Sequence, residues 1–437
     1  MLWSSARDPG SRTRHLWAGT KCGWPTRASS GTGGLGNGRR SLLNRRSSLA
    51  TADVVVLGGG STGTSVAFQL ARRHSGKVVL VERDTAGAGP TAKSIGIIRL
   101  HYSHEPLIRL AARSLELFAR FEELTGAVAD FTRCGFLLLA PEREMVVLRA
   151  NVELQHRLGM VSSVLAPAEI AALDPRLHLD GVDGAAWEPG SGFADGYATA
   201  AGFAAAARRE GAEIWETTAA QRLIVDGGRV RAVQTARGEI STPAVLVSCG
   251  PWTPALLQPL GVNVPIQASR QQVVQLAPPP AFGVLGVVIE DMAQGFYVRP
   301  EAGSTILAGV LEEEAEEIVS PDGFNRGVDF DFVERVGRMW ASRYPGAREA
   351  EVRRGYASLY DITPDWQPVL GAVDGIGGLY IAAGFSGHGF KLSPALGEAL
   401  AAIIAGEPPG IDLSMFRLSR FAEGHPIRGR HAQGILG

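Results

Sequence analysis

Cysteine is nearly absent: the 437 residues contain three, Cys22, Cys134 and Cys249, far apart in the chain. So few and so widely spaced, they make neither a disulfide framework nor a C-x-x-C metal site, and a reducing compartment fits them best. Long apolar runs are missing too. None approaches the roughly 18 to 20 residues that span a bilayer, so no transmembrane segment is expected. No histidine or acid has metal-ligand spacing; His101 and His104 are expected at a helix entrance, and no metal is expected. No internal repeat is apparent. A composition of 45% hydrophobic and 20% charged residues is that of a globular chain long enough for two packed domains.

The small net charge of −1 hides an asymmetry. Residues 1–50 carry nine Lys and Arg against Asp8 alone, a net of +8, which leaves −9 for the remainder. An acidic body argues against nucleic-acid binding. The leader is rich in Arg, Ser and Gly and expected to be disordered. A mitochondrial transit peptide, a flexible tail and a misassigned start codon all remain open for it. A cytoplasmic location is expected, with the mitochondrial matrix as the alternative if the leader is a transit peptide.

The most informative segment runs from Ala52 to Glu82. Val54 to Leu57 predicts a buried parallel strand, and Ser61 to Arg73 a helix. Between them Gly58, Gly60 and Gly63 stand in G-x-G-x-x-G spacing. The first glycine allows a tight turn, the second lets the backbone approach a pyrophosphate, and the third lets helix pack on strand. Ser61 and Thr62 open the helix, whose N-terminus offers free N–H groups to phosphate. A second strand, Val78 to Val81, ends at Glu82, whose carboxylate would accept both ribose hydroxyls. An acid there favours FAD or NAD over NADP.

Farther along, Ser103 is expected to cap a helix with Pro106 in its first turn and apolar residues from Leu107 to Leu124, ending by Gly126. A strand is expected over Cys134 to Ala140, a helix over Pro141 to Leu158 and an Ala-rich helix over Asp195 to Gly211. Strands are expected near Glu213 to Trp215, Arg222 to Val225, Val230 to Thr235 and from Val245. An antiparallel sheet is expected over Gln271–Leu276, Val287–Glu290, Phe296–Arg299 and Thr305–Val310. Glu312 to Glu317 is an acidic loop, Phe330 to Tyr344 a helix, Gly378 to Ala383 a strand, and Leu392 to about Ala405 the last helix. The order implies a domain inserted into a dinucleotide-binding domain.

Gly384-Phe-Ser-Gly-His-Gly-Phe-Lys391 resembles the D-amino-acid-oxidase-like flavoenzymes, most closely the branch of sarcosine oxidase (beta subunit) and glycine oxidase. The resemblance covers Ala52 to about Phe421. It includes the glycine fingerprint with Glu82, Ile97-Ile98-Arg99, Cys249-Gly-Pro-Trp252 (similar to A-G-x-W) and Pro265 to Gln271. It implies an α/β fold, with a FAD-binding Rossmann-like domain of glutathione-reductase type interrupted by an antiparallel β-sheet substrate domain. The FAD-binding domain would comprise residues 51–135, 190–255 and 350–410. The substrate domain would comprise 136–189 and 256–349, and 411–437 a C-terminal tail.

The resemblance also implies FAD, with pyrophosphate at Gly58, Gly60, Ser61, Thr62 and Gly63. Adenosine ribose would lie at Glu82 beside Arg83, and flavin near Gly250, Gly384, Gly387, Gly389 and Phe390. Lys391 and Arg99 match residues that hold a substrate carboxylate, as suits an ammonium and a guanidinium. The alternative for Arg99 is a solvated or ion-paired arginine at a strand end. Tyr297 matches a pocket tyrosine, or else is a core aromatic. His388 would tune flavin or substrate, or cap the turn.

There are departures from the family. Ser358 stands near where some relatives have a flavin-linking cysteine, and Thr85 to Ser94 lacks the histidine that others use, so FAD is expected to bind non-covalently. Ser304 to Val310 lacks the lysine of oxygen-using relatives, which leaves O2 or an electron-transfer partner as acceptor. The implied reaction is oxidation of a secondary or primary amino acid by hydride transfer from the carbon next to nitrogen to flavin N5, giving an imine that hydrolyses. A non-catalytic flavin-binding subunit or assembly factor is the alternative, and a hetero-oligomer subunit is possible on either reading.

Overall fold

The four residues Val54–Leu57 (β1) are all buried, and they feed into helix α1, Ser61–Arg72. Strand β2, Val78–Val81, lies parallel to β1 with Val55 opposite Val79. The computed structural model describes residues 50–311 and 317–431. An unbroken apolar run is what a parallel strand covered on both faces requires. The alternation of the pleat divides it: Val54 and Val56 pack with α1, whereas Val55 and Leu57 pack into a second cluster on the other face. Each such side chain contributes about 1.5–3 kcal/mol by burial.

Around this pair is a six-stranded sheet in the order Glu213–Trp215, β2, β1, Val245–Val247, Leu379–Ala383, Val369–Ala372. Only the last pair is antiparallel. Helix α2, Glu105–Ala119, and the last long helix, α3, Gly389–Ile404, add to the cluster behind α1. A Cβ at Gly397 of α3 would lie 2.0 Å from Ser65 Oγ of α1, so that glycine lets the two helices approach.

The larger sheet has nine strands. Strands β3 (Gln267–Ala277), β4 (Val288–Asp291), β5 (Phe296–Glu301), β6 (Thr305–Val310) and β7 (Glu351–Ile362) are its central part. Strand β3 pairs antiparallel with β6 and with nearly the whole of β7. Glu290 of β4 stands opposite Tyr297 of β5, and Tyr297 opposite Gly309 of β6. The sheet is mixed, because β4 also pairs parallel with Phe136–Ala140. Residues 50–51, 220–226, 229–235 and 238–241 make a separate four-stranded sheet.

Several boundaries differ from expectation. The helix expected to continue to Leu124 breaks at Arg120 into Glu105–Ala119 and Phe121–Thr125. The second piece ends where Gly126 turns left-handed (φ 64°). His104, not Ser103, occupies the N-cap of Glu105–Ala119; the Ser103 hydroxyl accepts the N–H of Arg430 instead. The strand from Cys134 begins at Phe136, and α3 begins at Gly389 rather than Leu392. Residues 159–192, punctuated by Pro and Asp, contain strands Ser163–Leu165 and Gly184–Glu188 and helix Pro167–Leu173. Strand β7 was not expected; sequence placed it with the FAD-binding part, yet it pairs along β3 of the large sheet. Residues 1–49 and most of the acidic loop, 312–316, lie outside the described residues.

After α3 the chain folds back on the body. The Arg420 guanidinium, fully buried, donates to both oxygens of Asp365 at 2.8 and 2.9 Å. Ile427 N–H donates to the same carboxylate at 2.9 Å. The segment then runs past His104, whose ring meets the Arg428 carbonyl at 2.9 Å, to His431.

Candidate active site

A single cavity of about 580 Å³ runs from the β1–α1 turn to the start of α3. Gly58, Gly60, Ser61, Thr62, Glu82, Arg83, Gly250, Gly387, Gly389, Phe390 and Lys391 line it, together with Arg99 and Tyr297. Gly63, Gly384 and His388 are not on its wall. Sequence reasoning therefore brought together residues up to 333 positions apart in one cavity.

At one end the glycines do what their spacing predicts. Gly58 has φ +102°, and a Cβ there would meet the Ser248 carbonyl oxygen at 2.1 Å. A Cβ on Gly63 would be 1.9 Å from the Gly58 carbonyl oxygen. No side chain caps α1, and the Ser61 N–H donates to Thr91 Oγ1 at 3.1 Å. Glu82 turns its carboxylate toward this end, accepting Gly59 N–H at 2.6 Å and Asp84 N–H at 2.8 Å. Arg83 stacks on Trp252, 3.7 Å from the ring centroid, and both donate to Asp322 Oδ1 at 3.0 and 2.8 Å.

The other end is built by α3, β4, β5 and the segment Ile97–Tyr102. The turn into α3 is tight: Gly387 has φ +88°, and a Cβ on it would sit 2.7 Å from the Tyr360 ring. Lys391 follows in the first turn of α3, 8% exposed. Burial, helped by Arg99 nearby and opposed by Glu290, pushes its ammonium down to about 7. Arg99 is fully buried and ion-paired, its Nε 3.1 Å from Glu290 Oε2. Its Nη1 donates to the His101 carbonyl. Burial pushes the phenol of Tyr297 well above the usual range, and the neighbouring Tyr360 adds to the shift. Gly309 makes room for the Tyr297 phenol, since a Cβ there would meet the hydroxyl at 2.3 Å.

His388 takes a supporting place. Its Nδ1 lies 3.2 Å from the Tyr102 hydroxyl, and the Arg99 guanidinium sits over the Tyr102 ring at 4.8 Å. Behind Arg99 lies a buried polar layer. His101 Nε2 meets His431 Nε2 at 3.0 Å, Asn151 touches both rings, and His431 Nδ1 meets Glu144 at 3.0 Å. Burial holds the His101 ring well below the usual imidazole range.

Sequence reasoning missed Glu290, Tyr360, Asp361 and His431. Glu290 carries a readable signal: it is a charged residue directly after the apolar run Val287–Ile289. The others are brought in by β7 and by the C-terminal segment, which no local pattern revealed. Among the described residues no cluster of His, Cys, Asp or Glu could hold a metal ion, and no helix is long and apolar enough to cross a membrane.

Two helix N-termini without side-chain caps, each entered through glycines that leave no room for a Cβ, open on one cavity with a carboxylate beside the first. That donor set fits a dinucleotide with a pyrophosphate and an electron-accepting ring. The family model for FAD dependent oxidoreductases (DAO) matches residues 53–403. The chain therefore belongs to the DAO family of FAD-dependent oxidoreductases, and FAD is its cofactor. It is 28% identical to 4-methylaminobutanoate oxidase (formaldehyde-forming) of Paenarthrobacter nicotinovorans, over 87% of this chain and 47% of that protein. It thus spans about half the length of that relative. It is 27% identical to sarcosine oxidase subunit beta of Rhodobacter capsulatus, over 88% of this chain and 92% of that one. Among solved structures it resembles L-proline dehydrogenase from P. horikoshii, with TM-score 0.80 and 27% identity over 87% of this chain and all of that one.

Proposed function

We propose that this protein oxidises an amino acid, secondary or primary, at the carbon next to nitrogen. One observation carries the reading: Lys391, a buried lysine, lies in the first turn of α3 on the same cavity as the glycine cradle. An ammonium withdrawn from water is unfavourable unless a partner arrives, and a substrate carboxylate is the partner this cavity admits. Arg99, the second residue expected to clamp, is already engaged by Glu290 and the His101 carbonyl. It adds positive potential to the cavity and leaves the direct contact to Lys391. The names of the relatives, acting on 4-methylaminobutanoate, sarcosine and L-proline, support a substrate with both an amine and a carboxylate.

Bound FAD would supply the acceptor for the two electrons that leave with the C–H hydrogen. This chain's part is to bind and orient. Gly58 to Thr62 and Glu82 hold the cofactor's nucleotide half. The start of α3 presents its positive end where electron density collects. Lys391 fixes the carboxylate, and the phenols of Tyr297 and Tyr360 enclose the substrate. Ser358 on the cavity wall and the absence of histidine over 85–94 support non-covalent attachment.

Anaerobic mixing of the purified protein with N-methyl, cyclic and D-amino acids tests the reading. Bleaching of the flavin band by one class supports it, and admission of air then shows whether oxygen is the acceptor. A flavin that stays oxidised with all of them, yet bleaches with dithionite, would reject it in favour of a non-catalytic subunit.

A further inference from the structure

Glu290 is an acid at the substrate end of the cavity that sequence reasoning left without a role. It sits on β4, 5% exposed, and lines the cavity with Arg99, Lys391 and Tyr297. Oε1 accepts the Arg99 Nε–H at 3.3 Å. Oε2 is 3.1 Å from the same nitrogen but accepts no hydrogen bond. A carboxylate can accept about four hydrogen bonds, and an acceptor withdrawn from water with none is costly.

Neutralising Arg99 does not by itself explain this residue. Glu188, fully buried and away from the cavity wall, also acts on Arg99, and it is held in place by Leu100 N–H, Ser191 and Gln155. Two carboxylates therefore surround one guanidinium, and the one facing the cavity is in surplus. With Lys391 charged, two cations, Arg99 and Lys391, are matched around the guanidinium by two carboxylates, Glu188 and Glu290. A neutral zwitterion keeps that balance. A plain carboxylate would leave Glu290 uncompensated, and a plain amine would leave Lys391 so.

We propose that Glu290 is a specificity-determining residue whose carboxylate, on the cavity wall, receives an N–H of the substrate's amino group. Lys391 and Glu290 then read the two poles of one amino acid. The site favours substrates that carry at least one N–H over carboxylates in which oxygen or sulfur replaces the nitrogen. This rests on the amino-acid reading above.

The test compares holoenzyme of the wild type, Glu290→Gln and Glu290→Asp. Sarcosine, glycine, L-proline and D-alanine are the reducing probes. Methylthioacetate and tetrahydrofuran-2-carboxylate are the amine-free probes, with affinity measured by calorimetry. In Glu290→Gln the half-saturating concentration of the reducing amino acid should rise about tenfold, the worth of one charge-assisted hydrogen bond. The amine-free carboxylates should change less than about twofold. Equal weakening of both classes would show that Glu290 acts only through Arg99, and no change in either would also overturn the proposal. If Glu290→Gln loses flavin or melts early, Glu290→Asp keeps the charge on a shorter stem and is read by the same two criteria. A wild type that none of the four amino acids reduces rejects the amino-acid reading itself, and this proposal with it. A reducible wild type with an unaltered Glu290→Gln rejects only the role of Glu290.

Discussion

Asp361 Oδ2 accepts the Gly384 N–H at 2.7 Å, tying the end of β7 in the large sheet to the turn that leads into α3. Burial pushes this carboxyl up to about 6. The folded protein therefore holds the proton more tightly than the unfolded chain does. The stability that results is complete below the ordinary aspartate range and is lost as pH rises through about 6. Asp361→Asn keeps an acceptor for Gly384 and removes the buried charge. It should stabilise the apoprotein at pH 8 by up to about 3 kcal/mol, from roughly two pKa units at about 1.4 kcal/mol each. Its melting temperature should also respond less to pH between about 4 and 7 than that of the wild type. Scanning calorimetry at pH 5 and pH 8 checks both.

On the proposed role, Lys391 must be protonated to hold a carboxylate, and its ammonium is pushed down to about 7. Affinity for a carboxylate ligand should accordingly be highest below pH 7 and fall above it. Lys391→Met should weaken binding about ten- to a hundredfold and abolish that pH dependence. Lys391→Arg, charged throughout, should leave affinity flat with pH. Titration with an unreactive carboxylate between pH 6 and 9 distinguishes the three.

Glu82 is held by two backbone N–H groups and by no basic side chain, which leaves lone pairs for a ribose. Glu82→Ala should lower FAD affinity about ten- to a hundredfold, the worth of a charge-assisted hydrogen-bond pair. The flavin-to-protein ratio after gel filtration reads this directly. Unchanged flavin content would refute the ribose role.

Two glycines on helices should respond in opposite ways. Gly63→Ala puts a Cβ 1.9 Å from the Gly58 carbonyl, so it should destabilise by at least about 3 kcal/mol and lose FAD. Gly337, within the helix Phe330–Arg343, has open space where its Cβ would go. Gly337→Ala should stabilise by about 0.5–1 kcal/mol. Urea unfolding of both variants is sufficient.

What was legible in the sequence was whatever is encoded locally. The β1–α1–β2 unit and Glu82 were readable because buried parallel strands are continuous apolar runs and the phosphate turn needs glycine at fixed offsets. The turn before Lys391 was readable for the same reason. Strand β7 was not, because Arg353, Arg354 and Tyr356 break the apolar pattern; its register comes from pairing with β3, far away in sequence. The engagement of Arg99 by Glu290 was hidden for a related reason, since the two are 191 residues apart and meet only when β4 is laid beside the cavity. Resemblance could propose the arginine, but only the fold shows what already holds it.

The contact between His101 and His431 spans 330 positions. His101 supplies the carbonyl that Arg99 grips, so the backing of one wall of the cavity depends on the last residue described. During synthesis, a chain that has already made its nucleotide cradle and its lysine still lacks that support. The residues of the cofactor end are thus all made before the last support of the substrate end, which the chain supplies only at His431.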